Sequence, residues 1–258
     1  MKIAVCLKRV PDTTAKIVIG ATRTAIDEAG VKFVPNPYDE FALEAAIALK
    51  EQAGAGETTV IAVGTDASQE TLRTALAMGI DRAVLLQSTG SADGLAVARV
   101  LATELKAGGY DLILFGKLAV DDYNHQVGVM VAELLELPCI SAAVKLTLTG
   151  TAIEAEREIE GGVEVMGCTL PAVVTCDKGI NNPRLPSLKG IMAAKKKPVS
   201  ALGISDLGLE AGEVGLAGSL VQVDSFAPRP PKSGGQKVTD EGDGGTKIAE
   251  FLVGQKLI

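Results

Sequence analysis

Tryptophan is absent from the 258 residues, aromatic side chains make up 3% of them, and His125 is the only histidine. The core must therefore be built from Ala, Val, Leu and Ile, and a Ser-His-Asp or Cys-His device would have to use that one imidazole. No nucleophile-elbow sequence supplies its partner. The cysteines Cys6, Cys139, Cys168 and Cys176 contain no C-x-x-C pair, and each lies in or beside an apolar run. They read as buried, reduced thiols of a cytoplasmic protein, not as disulfides or metal ligands. No apolar run reaches the roughly 18 residues of a membrane span. The opening stretch MKIAVCLKRVPD turns polar too soon for a signal peptide and reads as a strand. A basic excess is missing too: the net charge is −7, which argues against nucleic acid or an anionic membrane as partner. Lys195-Lys196-Lys197 then reads as a solvated or interface patch. There is no G-x-G-x-x-G turn and no Walker A sequence, so neither NAD oxidoreduction nor ATP hydrolysis is signalled.

What is present is an ordinary globular composition, 47% hydrophobic and 22% charged, enough for a sizeable core. Residues 2–7, 58–64, 82–87 and 111–116 form continuous apolar runs, as parallel strands covered on both faces do. Helical spacing fills the gaps at 38–53, 68–78, 92–107 and 127–137. Asn36 can cap the first of these helices, Pro37 fits its first turn, and Asp39 and Glu40 suit the positive end of its dipole. Gly79, Gly108-Gly109 and Pro138 end the others. This alternation implies an α/β fold with a doubly wound parallel sheet. Shorter strands at 144–148, 155–159, 163–168 and 172–176, with a hairpin turn at Glu160-Gly161-Gly162, suggest an added small β region. Residues 181–197 look irregular and basic. Residues 224–246 are rich in Pro, Gly and charge and read as a linker or arm. A final helix over 247–257 carries Ile248, Phe251, Leu252 and Leu257, which need a surface to dock on.

The most informative stretch is residues 116–128, GKLAVDDYNHQVG. It lies where a buried strand hands over to a helix, the place where ligands bind in an open α/β sheet. Backbone groups after the first two strands could pair with an adenine, and the amides and N–H groups of 122–127 could hold ribose and phosphate. The same residues also suit a plain helix cap, with Asp121 and Asp122 capping and His125 exposed. Leu188, an apolar residue in the irregular stretch Pro186-Ser187-Leu188-Lys189-Gly190, is either a loop leucine under the fold or an exposed anchor for a partner's pocket.

Several motifs in order resemble the β subunit of the electron transfer flavoproteins. They are Val5-Cys6-Leu7-Lys8-Arg9-Val10-Pro11-Asp12, Asn36-Pro37-Tyr38-Asp39-Glu40, the stretch 70–79 (ETLRTALAMG), GKLAVDD, the stretch from Glu156 through Gly162 to 170–175, Asn182-Pro183-Arg184, and IMAAKKK at 191–197. The resemblance covers nearly the whole chain. It implies a Rossmann-like fold of the adenine nucleotide α-hydrolase type over residues 1–190, with an extended arm, 191–258, whose terminal helix docks on an α subunit. It implies a heterodimeric electron carrier, not an enzyme. Such a carrier takes electrons from flavin dehydrogenases, such as the acyl-CoA dehydrogenases of fatty acid β-oxidation, to a quinone oxidoreductase. FAD would be held mainly by the α subunit and a structural AMP by this one. Carried over residue by residue, the AMP would lie against Cys6, Asn36, Pro37, Tyr38, Asp39, Thr65 and residues 116–127, with Ala119, Asp122, His125, Gln126 and Val127 at the main contact positions and Gly116 at the strand end. Glu158 matches a glutamate at the subunit interface, and Leu188 matches the leucine that plugs into a dehydrogenase. AMP-type members read Asn-Gln-Thr where this chain has His125-Gln126-Val127. Gln-Val-Gly also occurs in electron-bifurcating members, whose β subunit binds its own FAD and uses NADH. The Asp121-Asp122 pair follows the AMP pattern and favours it.

Overall fold

The continuous apolar runs fold as strands buried on both faces. In the computed structural model, which describes every residue except 89–91, 233 and 236, the chain opens with β1 (Lys2–Cys6), a small antiparallel pair β2 (Arg9–Pro11) and β3 (Phe33–Pro35), α1 (Pro37–Ala53), β4 (Glu57–Gly64), α2 (Gln69–Met78), β5 (Arg82–Gln87), α3 (Gly94–Gly108), β6 (Leu112–Gly116) and α4 (Val127–Leu134). It continues through β7 (Cys139–Thr149), β8 (Ala152–Ile159), β9 (Gly162–Thr169), β10 (Ala172–Cys176), α5 (Leu188–Ala194), β11 (Val199–Leu202) and α6 (Gly244–Gly254). Nine strands form one sheet in the order β11-β5-β4-β1-β6-β10-β7-β8-β9. The pairs from β11 to β7 are parallel, and only the β7–β8 and β8–β9 pairs are antiparallel. This is the doubly wound, Rossmann-like α/β architecture that the strand–helix alternation implies.

Successive side chains of a strand point to opposite faces, so β1 feeds two cores. Ile3 and Val5 join α1 and α2 on one face, while Ala4 and Cys6 join α3 and α4 on the other. Small side chains let these layers approach closely. Gly128, in the first turn of α4, sits where an added Cβ would lie 2.9 Å from Thr175 Cγ2 and 3.2 Å from Phe115 Cγ.

Of the strands expected in the added small β region, one belongs to the centre of the sheet. Residues 172–176 are buried throughout and lie mid-sheet between β6 and β7. Their unbroken Ala-Val-Val-Thr-Cys run is the same signature that marks β1 and β6. β7 is longer than expected and parts from β10 at a bulge while it stays paired with β8. There Ala142 takes φ 57° and its N–H donates to Thr175 Oγ1 at 2.8 Å. Beyond it, β8 and β9 extend the sheet as a hairpin closed at Glu160-Gly161.

Helix limits shift for local reasons. α2 starts one residue late because Asp66–Ser68 forms a tight turn first. Asp93 accepts from Ala96 N at 2.8 Å and so fixes the start of α3. α4 ends at Leu134, and Glu136 turns left-handed at φ 55°; Pro138 keeps the chain from resuming the helix, because it disfavours helical geometry at Leu137. The 181–197 stretch contains α5, whose seven residues and internal glycine give no periodic signal. β11, four residues long, is an edge strand against β5. A boundary at residue 190 would cut α5 and leave β11 outside the sheet it belongs to. Within 224–246, Ser233 and Gln236 lie outside the described residues, and α6 begins at Gly244, whose N–H donates to Asp240 at 2.9 Å. Its apolar face is uncovered among the described residues: Ile248, Phe251 and Val253 are exposed.

Gly128→Val is expected to cost about 1–3 kcal/mol through overpacking, read as a lower urea midpoint at unchanged slope. An unchanged midpoint would refute the close approach of α4 to the sheet.

Candidate functional site

Strand order reverses at β1: the chain first adds β4 and β5 on one side, then returns to add β6 and β10 on the other. The carboxyl ends of β1 and β6 part there and leave a crevice. Two residues from the start of α1 fix its edges. The Asp39 carboxylate is buried and accepts from Lys8 N at 2.7 Å and from Gly116 N at 3.0 Å, so one side chain ties the ends of β1 and β6 together. Gly116 is required for that approach, because a Cβ would lie 2.7 Å from Asp39 N. Buried Asn36 stands at the start of α1 but does not cap it with its side chain, contrary to expectation. Its carboxamide instead donates to Leu118 O at 2.7 Å and accepts from Val120 N at 3.1 Å, which pins the loop after β6.

That loop forms one wall. Lys8 Nζ lies 2.8 Å from Asp121 and 2.9 Å from Asp122. Burial works against the Lys8 charge, but the two carboxylates outweigh it and raise its pKa. Tyr123 and His125 hold φ 55° and 57°, a costly conformation for non-glycine residues that clusters at ligand sites. α4 follows directly. Its cap residue Gln126 makes no side-chain cap bond, so first-turn N–H groups remain for an anion. The floor is apolar, formed by Cys6, Val63, Val97, Leu101 and Phe115. Burial, then the Asp39 charge, pushes the Cys6 thiol well above its ordinary value, so it packs and does not act as a nucleophile. The crevice holds about 880 Å³ of non-protein space, its open mouth included.

Cys6, Asp39, Gly116, Ala119, Asp122, His125, Gln126 and Val127 line this crevice. Asn36, Pro37 and Tyr38 stand behind it as framework. Thr65 lies in a separate depression with Asp66, Gln87 and Ser88. Lys8 and Lys117 also line the crevice, as do Asp93 and Gly94, which were not singled out from the sequence. Asp93-Gly94 at a helix start is the signal that could have found the rim on the β5 side.

The family model for the electron transfer flavoprotein domain matches residues 23–207. The electron transfer flavoprotein subunit beta of Bacillus subtilis (strain 168) is 43% identical over 244 residues, 93% of each chain. The chain belongs to the electron transfer flavoprotein β-subunit family. Other members include that of Syntrophomonas wolfei, 40% identical over 98% of this chain and 96% of its own, and that of Mus musculus, 39% identical over 97% of each.

The family-matched surface residues lie away from the crevice. Leu188 opens α5, is 79% exposed, and follows Ser187, whose Oγ caps the helix by accepting from Gly190 N at 3.0 Å. Leu185, Ile191 and Met192 are exposed beside it in sequence. Glu158 is exposed on β8 opposite Val163 of β9.

Burial raises the Asp39 carboxyl from 3.8 to about 7, against the pull of the two backbone donors and Lys8. The folded chain therefore keeps a proton that the unfolded chain releases. Its contribution to stability is full below about pH 4 and is lost as pH rises towards 7. Asp39→Asn removes this slope, and its amide nitrogen cannot accept one of the two backbone donors, at a cost of about 1–3 kcal/mol. Urea titrations at several pH values should show the wild-type advantage widest near pH 4 and narrower at 7. Parallel curves would contradict the assignment.

Proposed function

We propose that this chain is the β subunit of a heterodimeric electron transfer flavoprotein, a cytoplasmic carrier and not an enzyme. It passes electrons from flavin dehydrogenases, of the acyl-CoA dehydrogenase type, to a quinone oxidoreductase. An α subunit holds most of the FAD, which takes up and releases the electrons. AMP occupies the crevice of this chain and has a structural role. The observation that carries the reading is the crevice itself, where most of the residues matching the family's nucleotide positions converge on one apolar floor beside a helix start without a side-chain cap.

The residues fit a mononucleotide. Val63, Val97 and Phe115 offer an apolar seat for adenine, and the N–H groups of Val127 and Gly128 suit one phosphate. Lys8 is engaged by Asp121 and Asp122, so the helix start and not a lysine would carry that phosphate. The two carboxylates disfavour a second phosphate beside it, which supports AMP over the FAD of the bifurcating type. The exposed face of α5 supports a dehydrogenase contact through Leu188. Glu158 on its exposed hairpin, and the uncovered face of α6 at the end of the arm, suit the α subunit. Among the described residues no helix is long and apolar enough to cross a membrane.

Denaturing the purified heterodimer and quantifying the released small molecules by chromatography with mass detection is expected to give about one AMP beside the one FAD of the α subunit. Two FAD and no AMP per heterodimer would make this a bifurcating subunit with NADH as donor, and one FAD with no AMP would overturn the crevice assignment. Separately, Leu188→Ala is expected to raise the KM for the donor dehydrogenase roughly tenfold, as loss of an anchor does, with the urea midpoint unchanged. Equal kinetics at limiting partner would remove the anchor role.

A further inference from the structure

The exposed apolar strip around α5 sits on an irregular segment, yet both of its ends are bolted to helices of the sheet domain. At the amino-terminal end, the Arg184 guanidinium forks across two carboxylates of α1. Its Nε and Nη2 lie 2.9 Å from Glu44, and its Nη1 and Nη2 lie 2.7 and 2.9 Å from Glu51. The Arg184 backbone N–H also donates to Glu44 Oε2 at 3.0 Å, and Asn181 Nδ2 donates to Phe41 O at 2.9 Å. At the other end, Arg73 of α2 donates to Ala194 O at 2.6 Å and Lys197 O at 2.7 Å, and Lys197 turns back onto Leu76 O at 3.3 Å. Between these bolts, Gly190 lies so close to Ala77 that a Cβ would come within 3.4 Å of its carbonyl carbon.

Four charge-assisted contacts from one planar group fix direction as well as distance. They cost less ordering than isolated pairs, because Glu44 is already buried on a rigid helix. The segment they hold carries no packed core of its own: Leu185 and Leu188 are 89% and 79% exposed. A surface held in its bound shape before contact avoids the ordering cost of docking.

We infer that Arg184 is a positioning residue for partner docking: its fork onto Glu44 and Glu51 pre-orders residues 185–192, so that Leu188 enters an apolar pocket of the electron donor without a folding step. The inference rests on the docking reading of Leu188 given above, and the test separates the two.

Steady-state electron transfer from a purified acyl-CoA dehydrogenase is measured for the complete heterodimer carrying wild-type β chain, Leu188→Ala, Arg184→Ala, Arg184→Lys and the double variant Arg184→Ala/Glu44→Ala. Arg184→Ala leaves the Glu44 carboxylate buried without its partner and lowers the urea midpoint; the double variant removes that orphan and restores it. Arg184→Ala and the double variant are both expected to raise KM about five- to tenfold at unchanged kcat, with Arg184→Lys between them and wild type. Amide hydrogen exchange over 185–192 should be faster in both alanine variants. A KM that returns to the wild-type value in the double variant shows a merely structural role and overturns the inference, as do unchanged exchange rates. A raised KM in Leu188→Ala with a normal one in Arg184→Ala overturns the strut alone. No effect in Leu188→Ala overturns the docking reading itself.

Discussion

The crevice depends on one buried carboxylate. Asp39 stands in the first turn of α1, yet its two oxygens are spent on the backbone N–H groups of Lys8 and Gly116. Lys8 lies two residues beyond the end of β1, and Gly116 is the last residue of its parallel neighbour β6. A parallel sheet opens at a switch point because neighbouring strands continue in opposite directions, and nothing in the ladder itself holds the two ends at a fixed separation. Asp39 supplies that hold, and Asn36, three residues earlier, does the same for the loop beyond Gly116. The helix start therefore works as a bracket for the site and not as a plain cap. Burying the carboxylate is costly, which is why its proton affinity rises.

The charge pattern at the rim follows from the same frame. With β1 and β6 held side by side, Lys8 reaches across the opening to Asp121 and Asp122. The cation closes the loop and brings its backbone to the left-handed turns at Tyr123 and His125. In doing so it ceases to be a free positive charge. The field at the crevice then comes from the peptide dipoles of α4 and two partly neutralised carboxylates, a softer and more local attraction than a lysine would give.

Much of this was legible in the residues. Unbroken apolar runs located the parallel strands, and the density of polar groups in 121–126 pointed to the strand–helix handover that lines the crevice. The part that was not legible depends on contacts between distant segments. Asn36 and Asp39 read locally as helix-start residues, and no local pattern shows that their side chains turn to residues 8, 116, 118 and 120. Residues 172–176 have the composition of a central strand, but their neighbours in sequence are hairpin strands, and only the pairing with β6 and β7 assigns them to mid-sheet. α5 has neither the length nor the period to announce itself. It is helical because Ser187 caps it and Arg73 and Gly190 seat it on α2.

The arm has a kinetic consequence. Residues 203–221 pack back on the sheet domain, where Val214 is buried and Asp93 accepts from Leu220 N at 2.7 Å and Val221 N at 3.0 Å; residues 227–243 hold no strand or α-helix among those described, and they end in α6, whose apolar side chains face solvent. A helix on such a tether is confined to a small volume around the sheet domain, at an effective concentration that for flexible linkers is on the order of millimolar. A partner chain held by the sheet domain and by α6 together would be gripped at two linked contacts. Each contact can then open and re-form while the other persists, so the grip outlasts either alone, and the surfaces beside the arm can move without the assembly coming apart.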